Sequence, residues 1–461
     1  MKPCNILFYQ ASNEILNINL KNEKMKKSIL TLASALLVAF YSNAQKVDFQ
    51  EYDLDNGMHV ILHKDTAAPV VVTSVMYHVG AKDEQPGRTG MAHFFEHLLF
   101  EGTKNIGKGE WFKLVSSNGG KNNANTTDDR TYYYEIFPSN KLELGLWMES
   151  ERLLHPIIGQ AGVDTQNEVV KEEKRLRVDN QPYSRFLEFV KENIFKKHPY
   201  MGTTIGKMAD LDAATLAEFL AFNKKFYVPN NATLVVAGDI DIDIAKKMIK
   251  AYFGPIPRGA AIEKNFPQED PITEAMTAKG YDPNIQIPAI MAAYRTPSMK
   301  TRDSRILDMI SSYLSTGKSS VLYKKLVDNK KMAIQAGAIN ASQEDYGTYI
   351  LYGLPQGETK LEDLIKEIDE EIAIMQTELI SDRSYQKLQN QFENNYVNSN
   401  SSVEGVANSL ARYHVLYGDT NLINSEIDIY RSITREEIQA VAKKYLNPNQ
   451  RLILEYLPKT K

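Results

Sequence analysis

Thiols are almost absent from this chain. Its 461 residues include one cysteine, Cys4. That excludes a disulfide framework, and any zinc finger or iron–sulfur cluster built from the chain's own thiolates. A metal here has to be held by imidazoles and carboxylates. An excess of one charge is lacking too: 54 Lys and Arg face 58 Asp and Glu, a formal net charge of −4. This excludes a strongly basic nucleic-acid binder, and no nucleic-acid partner is expected. Long apolar runs are also missing. The most prominent, Ser28 to Tyr41, has 14 residues, too few to span a bilayer comfortably. What is present is 43% hydrophobic, 24% charged and 10% aromatic. A chain of this size and composition buries a large core without covalent staples.

The N-terminus reads as two segments. Residues 1–24 are polar and Asn-rich, and read as a non-native extension preceding the true start at Met25. Met25-Lys26-Lys27, the apolar run, and small residues up to Ala44 form the three parts of an export signal, 25–44, cleaved after Ala44. The expected location is periplasmic or secreted, with no membrane span in the mature chain. That chain loses five Lys, two Glu and Cys4, leaving 49 basic and 56 acidic residues and no thiol.

The remainder contains a repeat. Thr215 to Val235 lies on Thr434 to Leu454 at a constant offset of 219, with seven identities: Thr215/Thr434, Glu218/Glu437, Ala221/Ala440, Lys224/Lys443, Lys225/Lys444, Pro229/Pro448 and Asn230/Asn449. Each copy reads as a capped amphipathic helix, a Pro-Asn turn and an apolar strand. Duplication explains this better than coincidence. The expected fold class is α+β: two homologous α/β sandwich domains, each a mixed sheet packed against helices. They are placed at 45–255 and 272–461, joined by a Pro-rich linker at 256–271. Helical periodicity covers Met91 to Phe100, Leu142 to Leu154 and Thr165 to Val178, among others. Val70 to Val79 and Thr131 to Phe137 read as strands.

The informative segment is Gly90-Met91-Ala92-His93-Phe94-Phe95-Glu96-His97-Leu98-Leu99-Phe100. His93 and His97, at i and i+4, share one helix face and can bind one Zn²⁺. Glu96 lies on the same face, placed to take a proton from a water at the metal. This is the H-x-x-E-H order of zinc hydrolases. The flanking Phe and Leu residues mark the helix as buried, where two His and a Glu without a partner would be costly. A third ligand is expected from the Asp164–Arg175 helix, opened by a Thr165/Glu168 capping box. Periodicity leaves Glu172 and Glu173 both open.

These motifs resemble the pitrilysin/insulinase family of zinc metallopeptidases, over nearly all of the mature chain. The resemblance implies one zinc per chain and selects Glu173, 76 residues after His97, as third ligand, with Glu172 the fallback. Asn123-Ala124-Asn125-Thr126 is similar to the family's edge strand, where substrate adds as a β-strand. Asn123, Ala124 and Thr126 are therefore implied to bind peptide. Gln166 stands where the family often has a supporting Glu. Val327 and Ile334 stand where it has an Arg and a Tyr that complete the site from the second half of the clamshell. The implied protein is an exported zinc metalloendopeptidase with Glu96 as general base. It would be the catalytic half of a heterodimer whose related half-length partner supplies Arg and Tyr, with a homodimer as the alternative. The rival class is a non-catalytic scaffold subunit of the same fold.

Overall fold

The computed structural model describes residues 46–459, and the regular elements lie in one compact unit, Asp48–Lys461. The 1–24 extension, the 25–44 export signal, its cleavage point and Cys4 lie outside the described residues. Among the described residues no helix is long and apolar enough to cross a membrane.

Two runs of β-branched residues, VVVTSVMY and ATLVVAG, form the middle of the first sheet. Their near-complete burial is what a strand covered on both faces requires. The sheet comprises β1 (Gln50–Asp53), β2 (His59–Lys64), β3 (Val70–Tyr77), β4 (Lys121–Thr126), β5 (Thr131–Pro138) and β6 (Ala232–Gly238). Its order is β1-β2-β6-β3-β5-β4, with only β2 and β6 parallel. The second sheet comprises β7 (Met276–Asp282), β8 (Ala289–Pro297), β9 (Ala333–Ser342), β10 (Tyr346–Pro355) and β11 (Leu452–Pro458), ordered β7-β11-β8-β10-β9. Here β7 and β11 are the parallel pair. Apart from β1, the second sheet repeats the first strand for strand.

The repeated capping segments fold alike. Thr215 and Thr434 each cap a helix, with Glu218 and Glu437 closing both capping boxes. An arginine clamps each box: Arg88 Nε reaches Glu218 at 2.8 Å, and Arg302 Nε reaches Glu437 at 2.7 Å. These are α/β sandwiches related by duplication, as the sequence predicts.

Each half also covers the other's sheet. On the first sheet, Val71, Val75, Leu234 and Val236 join a core with helices of their own half. The second half's helix Val403–Arg412 packs on β3 and β6 as well. Reciprocally, Val190 and Ile194 of the first half's helix Phe186–Ile194 join Met291, Ala293, Leu454 and Tyr456 in the second sheet's core. The intervening segment 254–275 has no helix or strand and is pinned in place. Glu269 Oε1 accepts from the amides of Lys196, Lys197 and His198 at 2.7–2.8 Å.

At the junction two hairpin tips meet, residues 127–130 between β4 and β5 and 343–345 between β9 and β10. Buried Lys82 bonds to Asp129 (3.0 Å), Glu344 (2.8 Å) and Asp345 (2.9 Å).

Candidate metal centre

Helix Met91–Leu98 begins at Gly90, whose φ of 91° is left-handed. A Cβ there would meet Ile205 O at 2.7 Å, so both conformation and space favour glycine. The Glu84 carboxylate accepts from the amides of Gly90 and Ala92, both at 2.8 Å, and so satisfies two of the helix's free donors. The far end is tied down too. Tyr133 of β5 donates to Phe95 O (2.9 Å), and Arg152 donates to Leu99 O (3.0 Å). Arg152 is fully buried between Glu135 and Glu149, and faces the rings of Phe100, Trp111 and Tyr133 at 4.0–4.4 Å. Burial, and then the Glu149 charge, pushes Glu135 well above the usual carboxylate range. Arg152 and Tyr133 are not visible as site supports in the sequence, because the backbone atoms they hold are distant along the chain.

The helix presents His93 and His97 with ring centroids 4.9 Å apart. A ligand atom from each of His93, Glu96 and His97 lies within 4.8 Å of the others. Glu173 approaches from helix Gln160–Lys174. Its Oε2 is 3.1 Å from His97 Nε2 and 3.6 Å from His93 Nε2. Arg177, one turn on, holds the other oxygen, Oε1, at 2.7 Å and so aims Oε2 at the imidazoles. Glu172 instead pairs with Arg175 at 3.0 Å. The Thr165/Glu168 capping box does not form. The helix starts at Gln160 with Gly159 as cap, Thr165 Oγ1 back-bonds to Ala161 O, and Glu168 pairs with Lys171.

This donor set fits zinc. Two imidazoles and a carboxylate with room for water are a catalytic composition. Bonds of about 2.0–2.1 Å in a tetrahedron put ligand atoms about 3.3 Å apart, and the observed 3.1 and 3.6 Å bracket that spacing. Burial, and then His97, pushes His93 down to about 4, so its imidazole is neutral at pH 7. A hydrogen bond from His97 is the main cause that lowers Glu173. Burial raises Glu96, partly offset by Thr126, whose hydroxyl donates to Glu96 Oε2 at 2.6 Å.

Thr126 ends β4, the outer strand of the sheet, which among the described residues pairs only with β5. The Thr127 amide bonds to Arg130 O at 2.9 Å. Alternation from that pair turns Asn125 and Asn123 toward β5, and leaves the backbone of Ala124 and Thr126 facing the open edge. Gln166 donates to Glu101 at 2.6 Å, and His93 Nδ1 is buried with no hydrogen-bond partner among the described residues. Of the other two family positions, Ile334 is an exposed residue of β9, and Val327 is partly buried against the second core.

Residues 59–207 match the family profile described as insulinase (peptidase family M16), and 213–392 match that of the peptidase M16 inactive domain. The chain belongs to peptidase family M16. Among M16 relatives, the zinc protease PqqE of Helicobacter pylori is 29% identical over 438 residues, covering 92% of this chain and 97% of that protein. The zinc protease YmxG of Bacillus subtilis is 21% identical, covering 88% and 97%. The crystal structure of a Helicobacter pylori protease superposes with a TM-score of 0.83 at 27% identity, covering 89% of this chain and 99% of that one. The periplasmic protease PqqL of Escherichia coli gives a TM-score of 0.73 at 18% identity. It covers 90% of this chain but only 48% of PqqL, so this M16 chain corresponds to half of the longer protein.

Proposed function

We propose that this chain is an exported zinc-dependent endopeptidase acting on extended peptides or unfolded polypeptides, as the catalytic half of a two-chain chamber. The observation that carries the reading is the convergence of His93, His97 and Glu173 beside an open sheet edge whose last residue holds Glu96. Zinc held by those three side chains would supply Lewis-acid polarisation of a peptide carbonyl and acidify a water. The chain's own residues do the rest. β4 pairs with the substrate backbone, which sets the peptide's direction while tolerating many side chains. Thr126 fixes the Glu96 carboxylate, and Glu96 takes the proton from the attacking water and passes it to the leaving amide nitrogen.

The Glu96→Gln variant tests this. Zinc content should be unchanged and peptide hydrolysis lost; normal turnover would refute the mechanism. Apo protein prepared with chelator should be inactive and recover with zinc. The second-half sites now held by Val327 and Ile334 support the two-chain reading, in which a related half-length partner contributes the missing Arg and Tyr. A homodimer is the simpler assembly, and co-purification from the source organism separates the two. A non-catalytic binding subunit is the second reading, favoured by those same two positions. Zinc-free protein as isolated would support it. Export and division near 256–271 complete the proposal, the former resting on residues 25–44.

A further inference from the structure

A second group of metal-ligating side chains lies where the two halves meet. His59 opens β2 in the first half. His414 lies in the wide turn Tyr413–Tyr417, directly after the second half's Val403–Arg412 helix. Their imidazoles lie parallel, with centroids 3.6 Å apart and planes 3° apart. Glu51 and Asp53 project from β1 beside them, two residues apart and hence on one face. Asp53 Oδ1 is 2.8 Å from His59 Nδ1, and Glu51 Oε2 is 3.3 Å from His59 Nε2. One ligand atom from each of Glu51, His59 and His414 lies within 4.8 Å of the others.

His59 thus meets a carboxylate at both nitrogens. A neutral imidazole can donate to only one of them. A cation between Nε2 and Glu51 would give both a partner, and the surroundings suit one. A metal-bound histidine usually donates its other N–H to a carboxylate or another acceptor, which fixes the ring. Asp53 stands in that place for His59, and Thr420 Oγ1, 3.4 Å from Nδ1, stands there for His414. We propose that Glu51, His59 and His414 form a second divalent-metal site, with Asp53 orienting His59, which ties the first β-hairpin to the second half. Two imidazoles and one carboxylate suit Zn²⁺, with water completing the tetrahedron. Because each nitrogen lone pair lies in its own ring plane, coordination requires the stacked rings to tilt open about their Cβ–Cγ bonds.

The test removes the first site to expose the second. The full chain carrying His93→Ala and His97→Ala is stripped with chelator and titrated with zinc and with Co²⁺. One equivalent of zinc should bind, thermal stability should rise, and Co²⁺ should give the visible absorption of a tetrahedral N/O site. Adding His414→Ala should abolish all three effects, and His59→Gln should do the same. His414→Ala alone should reduce bound zinc from two equivalents to one and leave peptide hydrolysis unchanged. The proposal is overturned if the His93→Ala/His97→Ala protein binds no metal, or if His414→Ala leaves its binding intact. Neither outcome bears on Glu96 or the first site, so a failure here is separable from a failure of the peptidase reading.

Discussion

The hydroxyl of Thr126 links the two parts of the site, since it belongs to the open strand and bonds to Glu96. Its own backbone faces the edge, so on the proposed reading it would position Glu96 as well as meet substrate. A hydrogen bond to a charged group contributes about 1.5–3 kcal/mol. Thr126→Val should therefore lower kcat by at least about tenfold with zinc content unchanged, measured on one peptide under saturating conditions. A loss confined to KM would mean that Thr126 acts only in binding. Arg177 shows a different kind of dependence. It holds Glu173 Oε1 at 2.7 Å, yet nothing in its spacing from the H-x-x-E-H motif marks it. The spacing of His93 and His97 sets their shared face because one helix carries both. The choice of Glu173 over Glu172 is a matter of which carboxylate a second helix turns toward the first.

Among the elements, β4 is the most exposed to a direct test. Ala124 has its N–H toward the open side, whereas Asn123 and Asn125 carry the bonds to β5. Proline is tolerated on an edge strand when its missing N–H faces outward. Ala124→Pro should thus fold and bind zinc normally, but lose peptide hydrolysis by about tenfold or more, the equivalent of one main-chain hydrogen bond of about 1–1.5 kcal/mol plus steric blockage. Full activity would show that substrate does not pair with this edge. The helix carrying Glu173 shows where element reading from sequence stops. Its periodicity was legible, but the Thr165/Glu168 signal placed its start six residues late. The true first turn contains Gly162, where a Cβ would lie 3.4 Å from Leu98. Close approach to the site helix stabilises a turn that intrinsic propensity disfavours.

At the scale of the whole molecule, the exchanged helices and the hairpin tips around Lys82 hold the two halves together. Lys82 is buried against Asp129, Glu344 and Asp345. Removing one partner of such a group leaves the others uncompensated, at a cost of about 3–5 kcal/mol. Lys82→Met should lower unfolding stability by that order in urea titration, with the first metal site intact in the folded fraction. The carboxylates also set a pH dependence. Burial pushes Asp345 up, but hydrogen bonds from His198 and Lys82 outweigh it and bring it down to about 2. For Glu344, burial is likewise outweighed, by His78 and Lys82, and the group falls far below its usual range. Both release protons more readily folded than unfolded, so their contribution is complete above the ordinary carboxylate range and is lost as pH falls toward about 2. Urea midpoints should fall between pH 5 and pH 3, and Glu344→Gln should flatten that fall. An equally steep decline in the variant would assign the acid sensitivity elsewhere.

The amino-acid sequence by itself determined the duplication, the two sandwich folds and the shared helix face of His93, Glu96 and His97, because each rests on local periodicity or on identities at a constant offset. It also placed the strand at Thr131 to Phe137, while the edge strand before it was marked only by the family resemblance of Asn123 to Thr126. Periodicity left Glu172 and Glu173 open and the family resemblance pointed to Glu173, which the tertiary structure brings to the two imidazoles; only that structure decided that Gln166 bonds to Glu101, and that Arg152 anchors the end of the site helix from a buried carboxylate pair. It alone decided that each half lends a helix to the other's sheet, and that His59 and His414 meet across 355 positions of chain. The physical reason is common to all of these. They are contacts between elements, set by how apolar faces pack and how buried charges find partners. Neither leaves a periodic trace along the chain.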